Sequence, residues 1–276
     1  LLPYSLHTSM PDNNPFYDFY GTEWRITQNG IPGGKSFRTQ WMGKEFYMCS
    51  PVCPVSSYAK FLNWCVGNLM EKYGVDGVYL DGSQTGRCDN HLHGCGYTDA
   101  FGRKIFPYND LGCRYSFRRL YQTIHGIKHD GILYVHANIM NAPHVHSMCD
   151  ILLPGEELMP EIVGNPTMYT DKLPLERWQS SYNVAKLLGT NSVFLGMSLA
   201  YDQPMHKEPA NPRVSDPLIS MCLVHDINLS GNFIYCKTIE RIWKLWDNSG
   251  ISDPQTEFIG YWYPECTIRT DNSALL

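Results

Sequence analysis

No apolar run in this 276-residue chain approaches the length needed to cross a bilayer, so no membrane span is expected. There is no long basic run either, and the formal net charge is -5, so nucleic acid is not an expected partner. The opening residues Leu1-Leu2-Pro3-Tyr4-Ser5-Leu6 lack a basic stretch followed by a long apolar one, so no secretory leader is visible. No Gly-rich phosphate turn follows any strand-like segment, which argues against the main structural alternative, a nucleotide-binding doubly wound sheet. No group of Cys and His residues has a familiar ligand spacing, so neither a cofactor nor a catalytic metal is expected.

What is present fits one large domain with an ample core: 43% of residues are hydrophobic. Aromatics reach 13%, with 18 Tyr and 7 Trp, which suits stacking on sugars and core filling alike. The ten cysteines are spaced irregularly, unlike a small disulfide scaffold. Cys65, Cys149, Cys222 and Cys236 sit in apolar segments and read as buried thiols; Cys49, Cys53, Cys88 and Cys95 lie near strand ends or in loops, as bridge or ligand candidates. The single glycosylation sequon, Asn228-Leu229-Ser230, is near chance.

The clearest element is a helix from about Ser56 to Tyr73. Tyr58, Phe61, Leu62, Cys65, Val66, Leu69, Met70 and Tyr73 repeat at helical spacing, with Ser56 or Ser57 as a cap and Gly74 as the left-handed terminator. The run Val75-Asp76-Gly77-Val78-Tyr79-Leu80-Asp81-Gly82 then reads as a strand stopping at Asp-Gly. The unit recurs. A helix with Phe117, Leu120, Tyr121 and Ile124 precedes Gly131–His136, Asp150–Leu153 follows, and a helix with Leu175, Trp178, Tyr182, Ala185 and Leu188 leads to Ser192–Leu199. Asn232–Cys236, Leu2–Leu6 and Glu45–Cys49 complete seven strands, apolar enough for burial on both faces of a parallel sheet. A (β/α)8 barrel needs eight. The expected fold is therefore an α/β TIM-type barrel over residues 1–250 whose first βα unit lies upstream or is missed, with 251–276 starting a β-rich accessory region.

In such a barrel the site forms where strands end and βα loops begin. Reading those ends yields Asp81, His136 with Asn138, Glu156 with Glu157, and Tyr201 with Asp202. Carboxylates at separate strand ends are what glycosidic hydrolysis uses: one acid protonates the leaving oxygen, and a second carboxylate attacks or stabilises the positive centre. Adjacent glutamates permit a variant in which one polarises a 2-acetamido group of the sugar. Asp81, Glu156 and Glu157 are the catalytic candidates; Tyr79, His91, His93, Tyr97, His136, Asn138, Tyr201 and Asp202 are candidates for holding an oligosaccharide or glycoconjugate. For Glu156-Glu157 the bland alternative is the acidic first turn of a helix.

The set Cys88, His91, His93 and Cys95 competes with this reading, since two thiolates and two imidazoles can complete a tetrahedral zinc site. A Cys88–Cys95 disulfide, or histidines lining a sugar pocket, is preferred. His144-x-His146 is a looser pair. A metal-dependent barrel hydrolase and a non-catalytic carbohydrate-binding barrel are the other two readings.

The stretch Tyr73–Gly82, the segment Cys88-Asp89-Asn90-His91-Leu92-His93-Gly94-Cys95-Gly96-Tyr97, the helix with Arg114, Arg118, Arg119, Leu120 and Tyr121, and Glu257-Phe258-Ile259-Gly260-Tyr261-Trp262 resemble glycoside hydrolase family 123-like proteins over about Cys49 to Trp262. The resemblance implies a barrel flanked by β-sandwich domains, retaining hydrolysis of N-acetylgalactosaminides through an Asp-Glu pair, and a secreted, periplasmic or lysosomal setting. This chain carries Glu156-Glu157 in place of that pair. Barrels of the α-galactosidase type are more loosely similar and imply a nucleophilic Asp after strand four and an acid after strand six, places Asp81 and Glu156 or Glu157 would fill.

Overall fold

The computed structural model describes residues 1–137, 142–158, 161, 167–183, 189–196, 212–231, 234, 236–251, 253 and 255–262. Its centre is a six-stranded sheet in which strands lie side by side in chain order: β1 (Tyr4–Leu6), β2 (Gly77–Asp81), β3 (Ile132–His136), β4 (Ile151–Leu153), β5 (Asn191–Phe194) and β6 (Asn228–Leu229). Every pairing in it is parallel. The longer helices among the described residues are α1 (Pro15–Trp24), α2 (Tyr58–Tyr73), α3 (Asp110–Ile127), α4 (Pro212–Val224) and α5 (Cys236–Ser249). The protein is thus α/β with a parallel sheet.

Two strand assignments differ from expectation. Glu45–Cys49 falls within a strand, Lys44–Pro51, but that strand pairs antiparallel with Ser36–Trp41 and Ser9–Met10 in a separate sheet. Among the described residues the last parallel strand is Asn228–Leu229, and the expected strand Asn232–Cys236 is described only in part. Cys236 begins α5, while 232, 233 and 235 lie outside the described residues. The expected helix around Leu175–Leu188 is a single turn at Leu175–Arg177 running into a wide turn at Trp178–Tyr182; 184–188 are not described.

The described residues group into two compact units, Leu1–Pro154 with Ala185–Ser192, and Gly155–Val184 with Val193–Leu276. In the first, α2 buries Tyr58, Ala59, Leu62, Val66 and Met70, and α3 buries Cys113, Phe117, Leu120 and Ile124. Both stripes follow the three-four spacing of a helix facing a core. Each fully buried aliphatic or Phe side chain contributes ~1.5–3 kcal/mol. The α2 stripe is narrower than expected, because Tyr73 and Leu69 face solvent. The Tyr58 amide bonds to the Ser56 hydroxyl at 3.3 Å, and Gly74 (φ 65) closes the helix in the left-handed conformation. Along β2 and β3, Val78, Leu80, Leu133 and Val135 are buried, whereas Tyr79 and Tyr134 are only half-buried and Tyr4 on β1 is exposed. These strands therefore alternate, and burial on both faces does not hold for them.

The second unit packs Tyr169, Trp178, Tyr182 and Phe194 together, with Tyr182 and Phe194 rings 4.9 Å apart and His225 stacked on Trp178 at 5.6 Å. Residues 263–276 are not described.

Gly77 has φ 145, and a Cβ there would stand 1.9 Å from the Ile132 carbonyl oxygen. Gly77→Ala should therefore cost several kcal/mol of stability in urea unfolding, whereas Gly74→Ala, with open space around it, should cost about 1 kcal/mol. Equal losses would refute the close approach. His7 is fully enclosed against Phe117, and burial, then the neighbouring His146, pushes it from 6.5 down to about 3. Unfolded His7 takes up a proton first, so its contribution to stability is complete above 6.5 and fades as pH falls towards about 3. A folded-state NMR titration of His7 near 6.5 would contradict this.

Candidate functional site

The parallel register sets Leu6 beside Asp81 and Tyr4 beside Tyr79 on one side, and Tyr134 beside Tyr79 on the other. Because successive strand residues face opposite ways, Tyr79 and Asp81 share one face of β2, and Tyr134 and His136 share one face of β3. The outcome is a carboxylate above a patch of rings: Tyr79 lies 5.5 Å from Tyr4, 5.1 Å from Tyr134 and 6.3 Å from His136, centroid to centroid.

Asp81 is held from three sides. His136 Nδ1 lies 3.0 Å from Oδ1, the Gly82 amide donates to Oδ1 at 2.6 Å, and the Tyr4 hydroxyl donates to Oδ2. Gly82 (φ 63) turns the chain away directly afterwards. Burial opposes ionisation of Asp81, but His136, Tyr4 and the Gly82 amide outweigh it and hold the carboxyl down at about 2. The side chain keeps 32% of its surface exposed. Asp81 is therefore an anion at neutral pH, positioned and reachable. That suits a nucleophile or a stabiliser of positive charge, not a proton donor.

In the second unit Gly155 (φ 119) follows β4, and Glu156 and Glu157 form a one-turn 3-10 helix with Leu158. Glu157 accepts from the Gly155 amide at 2.9 Å and from the Tyr182 hydroxyl at 2.8 Å. Burial, then the Glu157 charge, pushes the Tyr182 phenol up. Glu156 is partly exposed beside it.

Of the other sequence candidates, Tyr79 and His136 join Asp81. His91 is exposed on the turn His91–His93, and Tyr97 is exposed on a two-residue strand paired with Lys104–Ile105. Asn138, Tyr201 and Asp202 lie outside the described residues. The sequence does not mark Tyr4, because nothing local identifies a residue whose partner comes 77 positions later. Concavities occur on the α3 surface around Tyr115, Arg118 and Arg119, and around Asp12, Tyr17 and Lys35; neither includes Asp81.

His93 takes a place other than a sugar-lining one. The sequence leads to no expected metal, yet Cys53, Cys88, His93 and Cys95 present ligand atoms all within 4.8 Å of one another. Cys53 replaces His91 in the set suggested by spacing, and none of the three thiols forms a disulfide. Burial opposes charge on His93, but the Cys53 and Cys88 sulfurs overcome it and push the imidazole up to about 10. Hydrogen bonding with Cys53 and Cys95 holds Cys88 low, and hydrogen bonding with Cys53 and Cys88 drives Cys95 up.

No family model and no curated protein matches the chain. Among solved structures it is similar to a Paenibacillus sp. cycloisomaltooligosaccharide glucanotransferase complexed with cycloisomaltoheptaose, with a TM-score of 0.43 and 14% identity over 70% of this chain. The chain spans 25% of the length of that enzyme. A likeness at that level carries no argument about chemistry, and the resemblance to glycoside hydrolase family 123 rests on the sequence motifs alone.

The carboxyl 13C resonance of Asp81 should titrate with a midpoint of about 2, and Tyr4→Phe and His136→Gln should each raise it. An unfolded Asp titrates at about 4. The stabilisation from Asp81 is therefore present above about 4 and lost as pH falls from there through about 2. A midpoint at about 4 in the folded wild type would contradict this arrangement.

Proposed function

We propose that this chain belongs to a carbohydrate-active enzyme that cleaves glycosidic bonds with retention, and that Asp81 is the carboxylate meeting the anomeric centre. The observation that carries the proposal is the placement of an ionised, positioned and reachable aspartate at the C-terminal end of a parallel strand, above Tyr4, Tyr79 and Tyr134. A sugar ring presents apolar C–H faces to tyrosine rings and builds up positive charge at C1 as its bond breaks. An anion that needs no proton removed is suited to that charge. On this reading the sheet is part of a (β/α)8-type wall, and the sequence offers Glu156 and Glu157, the acids following β4, as the candidates for the proton donor. Glu157, with both oxygens engaged by Gly155 and Tyr182, fits the orienting role. The substrates to try first are 2-acetamido-2-deoxygalactosides, for which the pinned glutamate would polarise the acetamido group.

Turnover on a panel of aryl glycosides, measured beside thermal melting, tests the proposal. Asp81→Asn should lose about 10³-fold or more in kcat with a fold intact at the assay temperature. Glu156→Gln should be rescued by good leaving groups, because protonation then matters less. Glu157→Gln should matter chiefly for 2-acetamido sugars. Near-wild-type turnover by folded Asp81→Asn, or no hydrolysis of any glycoside by the wild type, would sink the proposal; in the second case sugar binding without turnover would favour a binding protein.

A further inference from the structure

We propose that Cys53, Cys88, His93 and Cys95 form a structural zinc site. The sulfurs come from the segment before α2 and from the loop after β2, and they meet in the interior, with Cys53 and Cys88 at 0% exposure, Cys95 at 8%, and Ile26 packed against them. Zinc bonds of about 2.3 Å to sulfur and 2.0–2.1 Å to nitrogen place tetrahedral ligands about 3.8 Å apart for two sulfurs and about 3.6 Å for sulfur and nitrogen. The Cys53 and Cys95 sulfurs lie 3.9 Å apart, and Cys88 Sγ lies 3.3 Å from His93 Nε2. Neither separation requires more than a few tenths of an ångström of adjustment, whereas a disulfide would need the sulfurs at about 2.05 Å.

The surroundings match what a metal site requires of its outer contacts. His93 Nδ1 lies 2.5 Å from the Glu23 carbonyl at the end of α1, so Nδ1 donates a proton there and Nε2 is the ring nitrogen that faces the sulfurs. Metal-binding histidines are oriented in this way, by a donor bond from the other ring nitrogen. The Asn90 amide donates to Cys88 Sγ at 3.4 Å, and Asn109 Nδ2 points to Cys53 Sγ at 3.7 Å, as befits thiolates. The Asn90 side chain is itself fixed by the carbonyls of Thr22 and Arg25, each at 3.0 Å, and caps the turn that delivers His93. Gly96 (φ 83) lets the chain pass Asp89, where a Cβ would meet the backbone at 3.0 Å.

Three sulfurs and one imidazole select a soft, tetrahedral cation over magnesium or calcium. In the filled site the three sulfurs are thiolates and His93 is neutral, the protons these groups held having gone to solvent on binding, so the site carries one net negative charge, met by the Asn90 and Asn109 donors. All four positions are protein ligands, so no site remains for a water or a substrate and the role is structural. The metal would tie the end of α1, the segment before α2 and the loop after β2 together. The proposal does not depend on the reading of Asp81, and either can fail alone.

The test uses the full chain purified without chelator from zinc-replete medium. Elemental analysis should find one zinc per chain, and X-ray absorption at the zinc edge should fit three sulfurs and one nitrogen. Cobalt exchange should produce intense tetrahedral d–d bands and thiolate charge-transfer absorption. Cys88→Ser or His93→Ala should lose the zinc. His93→Cys should retain it with four sulfurs, so the proposal stays testable if the other variants fail to fold. Cys49→Ser, outside the set, should keep its full metal content. Wild-type protein with no bound metal, with iron in place of zinc, or with a disulfide among Cys53, Cys88 and Cys95 in its peptide map would overturn the proposal.

Discussion

The start of β2 depends on a place where only glycine fits. At Gly77 the backbone runs so close to Ile132 that no side chain can enter, and from that contact the register of β2 against β3 follows residue by residue. Side chains alternate across a strand, so this register decides that Val78 and Leu80 are buried while Tyr79 and Asp81 face the other way. A slip by one residue would exchange the two sets, putting a carboxylate into the apolar interior and two aliphatic groups into water. Apolar burial and the position of the anion are thus two results of one alignment.

The same economy governs the charge on Asp81. Its depressed pKa comes from neighbours brought by adjacent strands, His136 from β3 and Tyr4 from β1. Neither is adjacent in sequence, and both arrive because three parallel strands end at similar levels. Glu157 is fixed differently, by the amide two residues before it within the turn after β4 and by Tyr182, 25 positions later.

How much of this is legible in the sequence follows from range. The α2 helix, its Gly74 stop and the strand ending at Asp81 are short-range patterns, and all three are present. The segment Lys44–Pro51 reads correctly as a strand but belongs to a different sheet from the one expected, because a run of Phe, Tyr, Met and Cys looks alike in either setting. The clue lies in the turn. Met42 (φ 51) and Gly43 (φ 74) form the mirror-image bend of a two-residue hairpin, and Met is not a residue that advertises it. In the cysteine cluster, spacing points to Cys88, His93 and Cys95 but offers His91, on the exposed side of a 3-10 turn, as the fourth member. Cys53 is legible as a bridge or ligand candidate but not as the partner of these three, since its approach depends on how α1 and α2 meet the loop after β2.

The edge position of β1 has a consequence for the order of assembly. Within the first unit, the contact between Leu133 and Asp150 closes a loop of 17 residues, while the bond between Tyr4 and Asp81 closes one of 77. Closing the longer loop costs more chain entropy, and distant pairings form late when nearer ones can form first. Loop entropy therefore favours the pairing of β3 with β4 over the closure that brings β1 to β2. Asp81 gains the Tyr4 hydroxyl only with that longer closure, so a chain in which β1 is unpaired would keep β2, β3 and β4 together while lacking one of the donors that hold the anion.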